Sequence, residues 1–222
     1  MSRALSGSGM TSLRARTRMI DRLRQEGIRD ESVLAALAAV PRHVFVEEAL
    51  ASRAYEDSAL PLGFAQTISQ PFIVARMIEI LCAGRALGKT LEIGAGCGYQ
   101  AAVLAQLASE VYAVERIEPL LAKAKLNLRA LKEFKVRLKY ADGHLGLPEA
   151  APFDTIIVAA AANAVPTALL QQLALGGKML LPVLSPSGAG DQFLSLIERR
   201  AEGCVETRLD SVHFVPLLSG LE

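Results

Sequence analysis

The sequence predicts an α/β fold with a mostly parallel sheet, and three stretches carry that expectation. In the first, Thr90-Leu91-Glu92-Ile93-Gly94-Ala95-Gly96-Cys97-Gly98-Tyr99, a short apolar strand over 91–93 runs into three alternating glycines. An apolar-periodic helix over 99–107 follows at once. The second, Val111-Tyr112-Ala113-Val114-Glu115, is an apolar strand ending in an acid. The third, 136–140, ends in Ala141-Asp142-Gly143. Strand, glycine turn and helix open an α/β nucleotide-type site, and acids at the carboxyl ends of successive strands face the crevice where such sheets bind ligands.

The glycine turn also narrows the ligand. Without Cβ, Gly94, Gly96 and Gly98 let the chain turn tightly and let a ligand lie against bare main chain. The helix behind them offers unpaired N–H groups. A dinucleotide fingerprint needs G-x-G-x-x-G, but Tyr99 stands where the third glycine belongs, and the Gly-Lys-Ser/Thr ending of a P-loop is absent. The turn therefore suits a nucleoside ligand without a pyrophosphate, of which S-adenosylmethionine (SAM) is the commonest; a tight turn with no ligand is the plain alternative. Glu115 lies about 20 residues beyond the turn, the spacing at which a carboxylate accepts from both hydroxyls of a ribose. Its alternative is a strand-end acid paired with Arg116 or Lys123. Asp142 is a candidate acceptor for the adenine amino group, although Asp-Gly is also an ordinary turn former. Glu92, Cys97, Arg116 and Gly143 complete the candidate cofactor site. Nothing beside Cys97 would activate a thiol, so it reads as a small turn residue.

Composition bounds the rest. A chain of 222 residues, 51% hydrophobic and 21% charged, fits a single core. A net charge of +1 and no tryptophan give no nucleic-acid footprint and no base-stacking surface. Cys82, Cys97 and Cys204 are scattered, which fits a reducing cytosol rather than a disulfide framework or a metal site. His43, His144 and His213 form no helical metal pair. Residues 1–11 are Ser/Gly-rich without the apolar run of a signal peptide and are expected to be a flexible tail. The apolar run 155–170 is broken by Asn163, Pro166 and Thr167, too short for a membrane span. The expectation is a cytoplasmic monomer without membrane or nucleic-acid partners. It has one domain over 12–222, with N-terminal helices and an active-site loop over 12–81 and a cofactor-binding core over 82–222.

The remaining elements follow in order. Residues 13–26 form a basic amphipathic helix with Met19, Ile20 and Leu23 on one face, ended by Gly27. Asp30 N-caps a second helix, 31–40, which Pro41 closes; both precede the first sheet strand and form a cap. Residues 55–71 show neither helical nor alternating period, and an irregular stretch of that length in a compact domain is usually functional. It is expected to cover the crevice as a lid or substrate shelf before Pro71 opens a helix over 72–81. Physical reasoning alone does not separate Ser69 from Thr67 there. Beyond the third strand, 153–159 is a buried parallel strand. A helix over 166–175 closed by Gly176-Gly177 and a strand over 178–183 follow. The last pair is antiparallel, 192–200 and 205–215, split by Glu202-Gly203, for about seven strands in all.

Ala59-Leu60-Pro61-Leu62-Gly63 with Gln66-Thr67-Ile68-Ser69-Gln70-Pro71 strongly resembles the loop of protein-L-isoaspartate O-methyltransferases. The resemblance continues through 91–105, Val114-Glu115-Arg116-Ile117, Ala151-Pro152-Phe153-Asp154 and Phe214-Val215-Pro216-Leu217. It covers the chain after the tail. The glycine turn is shared by many methyltransferases; the Gln-Thr-Ile-Ser-Gln-Pro run is far more specific. The resemblance implies a Rossmann-like SAM-dependent methyltransferase fold. It also implies methylation of the α-carboxyl of L-isoaspartyl residues in damaged peptides and proteins, which opens repair through a succinimide. Ser69 matches the family's active-site serine, with an orienting role, and Gln66, Thr67 and Ile68 join it against the substrate. Residues 214–217 would return near the lid. The chain departs from common family patterns at Gly63-Phe64-Ala65-Gln66, Ala141, Leu147 and Ala159. The chemistry is compatible with the residues present. A carboxylate titrates near pH 4 and is already an ionised nucleophile, so in-line positioning rather than a general base is what catalysis needs. The alternatives are a SAM methyltransferase for another carboxylate or small-molecule acceptor, a non-catalytic binding module on the same fold, and, more distantly, an NAD oxidoreductase.

Overall fold

A computed structural model describes residues 7–185 and 190–222. Residues 1–6 of the expected tail lie outside that range, and Gly9–Thr11 close one 3₁₀ turn. Helix α1, Leu13–Gln25, ends as its glycine requires. Gly27 has φ +111°, its N–H reaches Arg24 O at 3.3 Å, and Ile28 N reaches Leu23 O at 3.0 Å. Helix α2, Glu31–Ala39, is capped by Asp30, whose Oδ1 accepts from Ser32 N and Val33 N at 2.9 and 3.3 Å.

The stretch expected to be irregular is a hairpin. Strand β1, Leu60–Gly63, pairs antiparallel with β2, Gln66–Ile68, with Leu60 opposite Ile68 and Gly63 opposite Gln66. Leu60, Leu62 and Ile68 point inward. Three inward residues on strands this short give too little alternation for the period to register in sequence. Helix α3, Pro71–Cys82, then leads to β3, Lys89–Ile93. The following elements are α4 (Tyr99–Leu104), β4 (Glu110–Glu115), α5 (Glu118–Ala130), β5 (Val136–Tyr140), β6 (Phe153–Val158), α6 (Thr167–Gln172), β7 (Leu173–Leu184), β8 (Gln192–Arg200) and β9 (Gly203–Val212).

Two expected helices are shorter than their apolar patterns. The first stops at Leu104 and continues as a turn. The helix expected over 166–175 stops at Gln172. Leu173 already pairs with Phe153 in β7, and Gly176, φ +76°, lies inside an irregular part of that strand. The buried Gln172 amide pins this junction, accepting from Leu147 N at 2.7 Å and donating to Leu145 O at 2.8 Å.

The main sheet has the order β5-β4-β3-β6-β7-β8-β9. Strands β3 to β7 run parallel; β8 is antiparallel to β7, and β9 to β8. Alternate residues face opposite sides: Ile157 and Leu180 pack with the N-terminal helices, α3 and α4, whereas Ile156, Val158, Met179 and Leu181 pack on the other face. The chain leaves β3 toward β4 on one side and reaches β6 on the other. This reversal of strand order creates the crevice used by doubly wound sheets. The helical cap is tied to that point. The buried Arg42 donates Nε–H to Ala54 O at 2.9 Å and lies 4.8 Å from the Tyr99 ring centre, against which Phe45 also packs edge-on.

Candidate active site

The crevice opens into a cavity bordered by the 60–68 hairpin, the ends of β3 and β4, the chain after β6 and the C-terminal segment. Its floor is the glycine turn. Gly94 N and Ala95 N both donate to Val114 O at 3.0 Å, folding the end of β3 toward β4. Gly94, at φ +85°, and Gly96, at φ +53°, adopt backbone that side chains disfavour, and both present bare main chain to the cavity. Gly98 does something else. It caps α4 outside the cavity lining, where an added Cβ would lie 3.2 Å from Ala124 Cβ. Close packing of α4 on α5 is its task, so the helix-packing glycine stands one position before the dinucleotide site, and Tyr99 is buried behind it.

The two strand-end acids are placed differently. Glu115 lines the cavity and grips the turn: Oε2 accepts from Gly96 N at 2.7 Å and Oε1 from Ile117 N at 2.9 Å. Each oxygen keeps a lone pair for a ligand hydroxyl. Its two sequence alternatives are engaged elsewhere: Arg116 donates to Gly220 O and Glu222, and Lys123 pairs with Glu47. Asp142 does not line the cavity, although its neighbours Ala141 and Gly143 do. Its Oδ1 accepts from His144 N at 2.8 Å and its Oδ2 from Gly220 N at 2.6 Å, so it anchors the C-terminal segment. Gly143 is required by crowding, since a Cβ there would sit 2.5 Å from Ile93 Cγ2.

Glu92, also expected at the cofactor site, is more deeply buried than Glu115. It is 1% exposed, borders the cavity, accepts from Gln100 Nε2 at 3.0 Å through Oε1, and has no partner at Oε2. Burial holds its carboxyl well above the ordinary range, the Gln100 bond opposes that shift, and the Glu115 charge adds to it. Cys97 also borders the cavity, with its thiol pushed up to about 11 by burial, which leaves it un-ionised at neutral pH.

The lid closes from above. Leu62 of β1 reaches within 3.5 Å of the Cβ position on Gly96, and Gln66, Thr67, Ile68 and Ser69 all border the cavity. The Ser69 hydroxyl has no hydrogen bond to another described residue. Asp57 braces the segment that carries it, accepting from Gln70 Nε2 at 2.5 Å and from Phe72 N at 2.9 Å. The opposite rim is the returning segment. Ala161 N donates to Val215 O at 2.8 Å and Leu217 N to Ala161 O at 2.7 Å, which brings Val215 to Leu218 onto the cavity.

These features fit SAM, a cation with a nucleoside. Glycine main chain and Glu115 suit the nucleoside, and the unpartnered Glu92 oxygen suits a positive group. Arg116 is the one cation lining the cavity among the described residues, and its guanidinium is already occupied, so a pyrophosphate would find no counter-charge. Sequence reasoning missed Asp57, Leu62 and Gln100 as supports. Their partners lie 8 to 34 residues away, at Gln70 and Phe72, Gly96 and Glu92, and only folding brings them together.

No helix of the described residues is long and apolar enough to cross a membrane, and no cluster of metal-binding side chains occurs among them. A protein-L-isoaspartate O-methyltransferase of Dechloromonas aromatica (strain RCB) is 71% identical over 219 residues, 98% of this chain and 100% of that one. Among solved structures, a protein-L-isoaspartate O-methyltransferase superposes with TM-score 0.83 at 27% identity, covering 93% of this chain and 67% of the other. A relative from Plasmodium falciparum, described as such an enzyme in complex with S-adenosyl-L-homocysteine, gives 0.80 at 24% identity, covering 91% and 98%, and bears on the fold alone. The family model described as protein-L-isoaspartate(D-aspartate) O-methyltransferase matches residues 14–222, and with that span and that identity the chain belongs to this family.

Proposed function

We propose that this protein transfers a methyl group from SAM to the α-carboxyl of L-isoaspartyl residues in damaged proteins and peptides, so that repair proceeds through a succinimide. The observation that carries the reading is the lid. Thr67 and a Ser69 hydroxyl without a hydrogen bond to another described residue border a cavity whose floor is the glycine turn. SAM, when bound, supplies an electrophilic methyl on a sulfonium. The substrate carboxylate is ionised at neutral pH, so the chain's task is orientation. Ser69 Oγ and the neighbouring main chain hold the carboxylate by hydrogen bonds. Leu62 and Ile68 limit water, and Glu115 and Glu92 fix the donor's position. Holding two reactants in line is worth several orders of magnitude without proton transfer. A monomer in the cytoplasm is part of the same reading; the unpaired Cys82, Cys97 and Cys204 support a reducing compartment.

The test is transfer from labelled SAM to a matched pair of peptides, one isoaspartyl and one aspartyl. Base-labile label is expected on the isoaspartyl peptide alone, with kcat/KM lowered about tenfold in Ser69→Ala, the loss of one hydrogen bond to a charged group. SAM binding without transfer to either peptide would send the assignment to another acceptor.

Asp57→Ala is expected to act through the same loop. With Gln70 and Phe72 released, kcat/KM should fall about tenfold while SAM affinity stays within about twofold, because misplacement impairs only the groups that move. Asp57→Asn should recover much of the loss, since its Oδ1 still accepts from Phe72 N and the Gln70 amide can flip to meet its NH₂. Equal losses in SAM affinity and turnover would show that Asp57 supports the whole fold instead.

A further inference from the structure

The hairpin that forms the lid turns through Phe64 and Ala65, and both have φ +53°. A two-residue turn with both central residues in the left-handed region is the geometry usually filled by Asn-Gly or Gly-Gly. Here one residue has a bulky side chain and neither is glycine, so local preference opposes the turn. It is held by the buried Leu60, Leu62 and Ile68 on either side and by Gln66 Nε2, which donates to Phe64 O at 3.2 Å. Such backbone survives where the surrounding fold over-determines it, and it concentrates at functional sites. The side chain gained by tolerating it is a phenylalanine left 51% exposed.

A lone exposed aromatic carries no meaning by itself. This one sits at the tip of the hairpin whose Leu62, Gln66 and Thr67 line the cavity. The chain around it, 58–71, contains no charged residue and no histidine. The opposite rim, 214–221, is likewise uncharged and exposes Leu218 at 45%. A substrate chain entering between these rims would meet one ion pair, Arg116 with Glu222 beside the C-terminal rim, and no charge on the hairpin side. It would find apolar surface to desolvate there.

We propose that Phe64 is a specificity-determining contact: its exposed ring packs on an apolar side chain adjacent to the isoaspartyl residue and selects substrates that carry one. This rests on the isoaspartyl reading above. The contact lies at the mouth, away from the methyl donor, so it acts on substrate capture and not on the transfer step.

The experiment uses the full chain and isoaspartyl peptides that differ only in whether leucine, glycine or glutamate flanks the damaged residue, with Phe64→Ala and Phe64→Gly. Wild type should prefer the leucine-flanked peptide over the glycine-flanked one by about five- to tenfold in kcat/KM, the size of one partly buried apolar group. Both variants should erase that preference through KM, with kcat and SAM affinity retained. Phe64→Gly should melt above Phe64→Ala, because glycine accepts the positive φ and alanine does not. A preference that survives in both variants, or none in wild type, overturns the proposal. Phe64→Gly melting at or below Phe64→Ala removes its strain argument and counts against it. Failure of wild type to methylate any isoaspartyl peptide, with SAM still bound, overturns the parent reading and this one together.

Discussion

Glu115→Ala is expected to weaken SAM binding by about a hundredfold or more. The carboxylate makes two contacts that no other described group supplies, Oε2 to Gly96 N at 2.7 Å and Oε1 to Ile117 N at 2.9 Å. Hydrogen bonds to a charged group contribute roughly 1.5–3 kcal/mol each, and about 1.4 kcal/mol is a tenfold change in binding. Alanine therefore removes the carboxylate proposed to accept from the ribose and also frees the main chain of Gly96 and Ile117. Glu115→Gln should be nearly as damaging. Both carboxylate oxygens face N–H donors, so one end of the amide must present its NH₂ to another N–H. Titration of the purified variants with SAM by calorimetry checks this; a change below about fivefold in both would remove Glu115 from the site.

Glu92→Gln is expected to separate stability from binding. In the free protein burial keeps the Glu92 proton bound at a pH where an unfolded chain has lost it. Above the ordinary carboxylate value of 4.5 the folded state binds more protons than the unfolded state, so this group lowers stability as pH rises, until the folded value is passed. The slope contributed is at most about 1.4 kcal/mol per pH unit. Glutamine has no such dependence. The variant should match wild type in melting temperature near pH 4 and melt increasingly above it toward neutrality, when measured without ligand. Binding should move the other way. A cation beside the unpartnered Oε2 favours the ionised form, so SAM uptake by wild type should release protons at neutral pH and Glu92→Gln should lose about ten- to a hundredfold in affinity. Calorimetry in two buffers of different ionisation enthalpy measures the release; no proton release in wild type, or unchanged affinity in the variant, would contradict the assignment.

The two experiments also locate the divide between what the chain's letters convey and what its folding adds. The glycine turn, the strands around it and the antiparallel end pair are local or periodic patterns, and the seven-stranded main sheet contains them. Gly94 and Gly96 are legible because a residue without Cβ is needed where backbone meets a ligand at positive φ. The helix ends at Leu104 and Gln172 are not legible, since apolar periodicity continues past them and the pairing of Leu173 with Phe153 decides where strand begins. Nor is the 60–68 hairpin, whose pattern is too short to show a period and whose tip adopts backbone that its own residues disfavour.

At the site the same rule holds. The fold class, the glycine turn and the family are legible in the letters alone, because each is written in contiguous residues. Which acid faces the cavity is set by contacts made on folding. Glu115 and Asp142 look alike as strand-end carboxylates, yet Glu115 faces the cavity while Gly220, 78 residues away, draws Asp142 to the C-terminal segment. Glu92 is a candidate from its place before the glycine turn, but its raised proton affinity and its partnerless oxygen come from burial on all sides. Hydrogen-bond partners and desolvation are properties of what surrounds a group in space, and for these side chains most of those surroundings lie far away along the chain.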